Sequence, residues 1–228
     1  MEQRRDARPL EELERAVRAL DPIRPFTESV VGEEIAFVLR VATADPPLLA
    51  EAASAGVGGL AVPGDSVPGP FAETWLPVLH KGVLIDPYQL YESRLAGADG
   101  VVLIAGAFDD DDDDLTEMQA VAAELGLDVV LEVADEDELE HVLALLDPDS
   151  FLIQNVRPGR QEADFEHTFS LLEEVPAGKV VLSEGGIRNR DQVLALESAG
   201  VDAAVLGDWV LRLGIGRTLD VLRGDTRE

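Results

Sequence analysis

Lys81 is one of only two lysines in the chain, the other being Lys179, and it ends an apolar run that begins at Pro77. An ammonium group at such a position can polarise a carbonyl oxygen or deliver a proton, although a surface lysine is the plainer reading. Glu132 lies inside the apolar run 129–133. A carboxylate in a buried strand is costly unless paired, so it marks either a proton-moving site or a structural ion pair. Asn155 and Arg157 follow the run 151–154, and Glu184 follows the run 179–182. An amide and a guanidinium there could orient a substrate and bind its carboxylate, while a loop Arg is equally well explained as solvated. Gly185, Gly186 and Gly207 also stand just beyond apolar runs. Their backbone N–H groups could face a phosphate, but a glycine at a strand end is more often simply a turn.

The elements that must position these residues form a regular series. Apolar runs at 35–41, 59–62, 77–79, 100–104, 129–133, 151–154, 179–182 and 203–206 alternate with helical patterns at 46–55, 87–95, 115–125, 136–146, 165–174 and 190–199. Their Val, Ile and Leu content suits strands buried on both faces of a parallel sheet. Eight such units predict a (β/α)8 TIM barrel, a fold usually nearer about 250 residues. A doubly wound open sheet is the alternative, but no glycine-rich dinucleotide fingerprint follows the first run. The link after strand 1 is very short, and 64–76 has room for only one or two helical turns. Residues 1–30 supply one amphipathic helix, at about 10–20, expected across the barrel bottom. The domain reading is therefore a helical extension, 1–30, and one barrel, 31–228.

Composition narrows the function. The chain has 228 residues, no cysteine, and 46 acidic against 18 basic side chains, for a net charge of −28. Disulfide scaffolds, thiolate metal sites and cysteine nucleophiles are excluded. The charge repels phosphate backbones and anionic lipid, so no nucleic-acid or membrane partner is expected. The apolar runs are too short to span a bilayer, and the first residues lead into no signal-peptide core; a cytoplasmic protein is expected. A large acidic excess with almost no lysine suits concentrated salt, where self-repulsion is screened; this halophilic reading is preferred to an acidic partner-binding surface. The acidic run 109–114 reads as a solvated loop entering a helix. Consecutive carboxylates converge poorly on one ion, so no metal site is assigned to it.

The segment Pro77-Val78-Leu79-His80-Lys81, followed by Ile85-Asp86-Pro87-Tyr88-Gln89-Leu90-Tyr91-Glu92, resembles the most diagnostic stretch of the indole-3-glycerol-phosphate synthases. In that family it reads P-V-L-R-K-D-F and then I-D-P-Y-Q-I-Y-E. The resemblance continues through Leu131-Glu132-Val133, Asn155-Val156-Arg157, Ser183-Glu184-Gly185-Gly186-Ile187 and Gly200-Val201-Asp202-Ala203-Ala204-Val205-Leu206-Gly207. It is strong over 77–207 and fainter upstream. It implies a lyase of tryptophan biosynthesis that closes the ring of carboxyphenylamino-deoxyribulose phosphate with decarboxylation and dehydration, using neither cofactor nor metal. By the same resemblance Lys81 is the general acid, and Glu132 and Glu184 are site carboxylates. Asn155 and Arg157 meet the small-molecule substrate, and Gly185, Gly186 and Gly207 meet its phosphate.

Strand 1 departs from the pattern. The family reads I-A-E-x-K there, with Glu and Lys both facing the site; the matching register here is Ile35-Ala36-Phe37-Val38-Leu39. On that register Phe37 replaces the carboxylate and Leu39 the lysine, and Arg40 faces away, because neighbours in a strand point to opposite faces. Gly185 replaces a serine, and Asp208 adds a charge beside the phosphate position. The expectation is a degraded anion site in an otherwise retained barrel. A paralogue acting on a less anionic substrate and a catalytically silent ligand- or partner-binding barrel are the alternatives. The sequence assigns no oligomeric state.

Overall fold

The computed structural model describes residues 8–42, 46–64, 74–108, 112–156 and 159–225. Eight parallel strands follow one another around a closed barrel: β1 (Ala36–Arg40), β2 (Gly59–Pro63), β3 (Val78–Lys81), β4 (Gly100–Ile104), β5 (Asp128–Val133), β6 (Ser150–Gln154), β7 (Val180–Glu184) and β8 (Ala203–Leu206). β8 pairs with β1, with Val38 opposite Val205, and closes the ring. The expected (β/α)8 barrel is the fold observed.

Strand alternation sorts the side chains into two layers. Val38, Ala61, Leu79, Val102, Val130, Leu152 and Leu182 fill the interior. Their neighbours, among them Phe37, Leu39, Leu60 and Val62, pack outward beneath the helices. The strand 1 register read from the motif is therefore out by one. Phe37 and Leu39 belong to the outer layer, and Arg223 of the helix Ile215–Arg223 stacks on the Phe37 ring at 5.3 Å. Val38 and Arg40 are the inward positions. A strand buried on both faces shows no polar alternation, so its sequence alone does not say which residues point in.

Helix starts follow the side chains that can satisfy free N–H groups. Asp86 accepts from Tyr88 N–H and Gln89 accepts from Asp86 N–H, fixing the start of the helix Pro87–Leu95 immediately after β3. Asp135 and Asn189 cap the helices Glu136–Leu145 and Arg190–Ala199 in the same manner. The amphipathic N-terminal helix Leu10–Val17 does not cross the barrel bottom. It lies alongside Pro87–Leu95, where Tyr88 Oη donates to Arg8 O at 2.9 Å. The bottom is closed by a separate turn of helix, Phe26–Ser29, whose Phe26 and Val30 plug the interior. Two helices after β8, Trp209–Leu213 and Ile215–Arg223, complete the outer layer. The link expected at 64–76 falls largely outside the described residues.

Asp99 organises the bottom face. It is 2% exposed and accepts from the N–H of Arg24 at 2.8 Å, from Arg24 Nε at 3.0 Å and from the N–H of Val78 at 2.8 Å. Asp128 and Asp202 likewise accept from Thr27 and Val181 N–H groups. Carboxylates thus satisfy the strand starts at this end, which leaves the opposite, carboxyl end for the polar groups of a site.

Candidate active site

Lys81, Glu132 and Glu184 end or nearly end β3, β5 and β7 on their inward faces, and they meet over the last apolar layer. Lys81 Nζ lies 2.7 Å from Glu132 Oε2 and also contacts Glu184 Oε2. The contact with Glu132 is ionic rather than a well-aligned hydrogen bond. All three side chains are largely buried, so each charge depends on the others to offset its desolvation. Burial pushes the Glu132 carboxyl above its usual range; Lys81 opposes the rise, while the charge of Glu184 adds to it. An ammonium gripped by two carboxylates can polarise an oxygen and exchange protons on either side.

Beside this cluster a cleft of about 200 Å³ opens over β6, β7 and β8. Gly185, Gly186 and Gly207 line it, as do Arg40, Arg188 and Arg212. Gly185 and Gly186 have φ of +103° and +78°, which L residues rarely adopt. A side chain at either position would be strained by that backbone, so both turns favour glycine. Arg40, inward at the end of β1, places Nη1 3.3 Å from Glu184 Oε1. Arg188 stacks on the Trp209 ring at 5.3 Å. Asp208, which the sequence sets against a phosphate, pairs with Arg212 one turn along at 2.8 Å. The cleft is therefore richer in cations than the strand 1 motif implies.

Asn155 sits deeper than the other polar groups. It is fully buried; its amide donates to Gly185 O at 3.0 Å and to Ser183 Oγ at 3.2 Å, and its Oδ1 accepts from Thr168 Oγ1 at 2.9 Å. Every side-chain group is thus engaged in holding the β6 and β7 loops together. Arg157 lies outside the described residues, as do residues 109–111 of the acidic run; Asp113 and Asp114 are exposed in the first turn of the helix Asp112–Glu124. Among the described residues, no group of three or more His, Cys, Asp or Glu side chains is arranged to hold a metal ion. Sequence reasoning missed Arg40, Arg188 and Arg212. Arg40 faces the site only through the register that β1 takes against its neighbours, and the other two come from a loop and a helix that only folding brings together.

Fold and site together define a (β/α)8 barrel with its ionic cluster at the carboxyl ends of the strands. The family model for indole-3-glycerol phosphate synthase matches residues 72–213, and the chain belongs to that family. Indole-3-glycerol phosphate synthases of Acidithiobacillus ferrooxidans and Albidiferax ferrireducens are 41% and 39% identical to it over 137 residues, 60% of this chain and 51% of each relative. The chain spans about half the length of the curated relatives it matches. Among solved structures, a mutant tryptophan synthase alpha-subunit of Pyrococcus furiosus superposes with a TM-score of 0.63 at 14% identity, covering 83% of this chain and 98% of that one. A tryptophan synthase complex from the same organism gives 0.60 at 15% identity over similar shares. At that identity the likeness shows the fold alone.

Proposed function

We propose that the chain catalyses the reaction of its family, closing the ring of carboxyphenylamino-deoxyribulose phosphate to indole glycerol phosphate in tryptophan biosynthesis. The ring carbon bearing the carboxylate bonds to the ketone carbon, carbon dioxide leaves, and water is then lost. Lys81 polarises the ketone oxygen and supplies the proton with which hydroxide departs; Glu132 and Glu184 hold the ammonium in place and move the remaining protons. The backbone of Gly185, Gly186 and Gly207 and the guanidinium of Arg40 take the phosphate, and Arg157 takes the substrate carboxylate. Asn155 acts from behind, keeping the Gly185 loop in place. The observation that carries the reading is Lys81 gripped by two carboxylates beside an arginine-lined cleft. Incubation with the substrate in molar salt, followed by indole product fluorescence, is expected to show saturable turnover. No turnover in a folded sample would overturn the reading.

The acidic surface supports a cytoplasmic protein that works in concentrated salt and has no nucleic-acid partner. A net charge of −28 repels itself, and salt screens that repulsion. The melting temperature is expected to rise between dilute buffer and molar sodium chloride. A flat or falling trend would point instead to an acidic surface that binds a partner. No helix among the described residues is long and apolar enough to cross a membrane.

A further inference from the structure

Arg40 joins the ionic cluster to the cleft. Its Nη1 faces Glu184 Oε1 at 3.3 Å, while Nη2 points toward the β8 loop, 3.5 Å from where a Cβ on Gly207 would stand. Its side chain is 44% exposed, whereas Glu184 is 6% exposed and is also held by Lys81. The groups around it are Glu184 on β7, Gln154 on β6, Lys81 and Glu132 behind Glu184, and Asp208, Arg188 and Arg212 on the cleft wall. Two cations, Arg40 and Lys81, thus balance two carboxylates, Glu132 and Glu184.

We propose that Arg40 leaves Glu184 for the anionic group of the ligand, and thereby couples anion binding to uptake of one proton by the Glu132–Glu184 pair. The proposal rests on the functional reading above only for the identity of the ligand. A tetrahedral dianion in the cleft competes with Glu184 for the guanidinium and wins by offering more acceptor oxygens. One buried ammonium then faces two carboxylates, and such a group retains a proton more readily than a balanced one. The proton comes from solvent and goes to a carboxylate oxygen; no other bond forms or breaks. Glu132 is the receiving group, because burial and the neighbouring Glu184 charge already favour its acid form. The site thus gains an acidic proton only when the phosphate is seated, which suits a reaction that must expel hydroxide.

Inorganic sulfate is the probe, since it does not titrate near neutrality. Calorimetric titration of the full chain in buffers of different ionisation enthalpy reads the protons exchanged directly. Wild type is expected to take up a proton fraction on binding, with affinity falling as pH rises by up to about tenfold per unit. Arg40→Gln is expected to bind about tenfold or more weakly and without proton exchange. Arg40→Lys, which keeps the charge, is expected to restore part of both. Sulfate that binds wild type without proton exchange, or fails to bind it, overturns the proposal even if Arg40→Gln does not fold. Turnover without proton-linked binding removes this coupling and leaves the function intact. Coupling without turnover does the reverse.

Discussion

Replacing Lys81 by Met is expected to lower kcat by about a hundred- to ten-thousandfold, the usual worth of a positioned general acid. That range corresponds to roughly 3–5 kcal/mol of transition-state stabilisation. The ammonium also separates two carboxylates, and without it Glu132 and Glu184 face each other across the barrel mouth. With the intervening positive charge gone the two carboxylates repel each other, so the residual activity should follow a changed pH profile. The matched control is Lys179→Met. Lys179 pairs at the surface with Asp147, whose side chain is 92% exposed, and its loss should leave kcat untouched. Steady-state rates of both variants across pH, alongside thermal melts, decide the matter. A Lys81→Met variant retaining a tenth of wild-type turnover would remove the lysine from the chemistry.

At the other end of the barrel, Asp99→Ala is expected to lower unfolding stability by about 3–5 kcal/mol, the cost of breaking a buried ion pair from one side. The substitution strands the backbone N–H groups of Arg24 and Val78 and leaves the Arg24 guanidinium without its carboxylate, which it meets at 2.6 Å. Arg24 is 25% exposed, and solvent reaching it places the expected loss toward the lower end. Urea denaturation in molar salt gives the value. Because Asp99 lies at the strand starts, kcat per folded molecule should not change. A loss below about 1 kcal/mol would show that the bottom-face network contributes little.

The two substitutions separate a chemical face from a structural one, and the sequence foreshadowed that division unevenly. The series of apolar runs and glycine-ended helices determined a parallel sheet with crossover helices and favoured eight units of a barrel over an open sheet, because strands buried on both faces and the helices between them leave a regular alternation. Lys81, Glu132 and Glu184 were legible as well. Each is a charged residue in or at the end of an apolar strand, an expensive placement that needs a partner. Which partner was not legible, since β3, β5 and β7 meet only when the barrel closes. Phe37, Leu39 and Arg40 show the limit most clearly. In a strand apolar on both faces, hydrophobicity does not distinguish inward from outward, and a one-residue slip exchanges the faces of every side chain. Pairing of β1 with β8 fixed the register and turned Arg40 into the site. Arg188 and Arg212 entered the cleft from a loop and a short helix far apart in sequence from Arg40, and the left-handed turn at Gly185 and Gly186 gave that cleft its floor. The chain's local pattern thus chose the scaffold and its costly charges. Closure of the barrel chose their neighbours, because contact between distant strands is a property of the ring and not of any one strand.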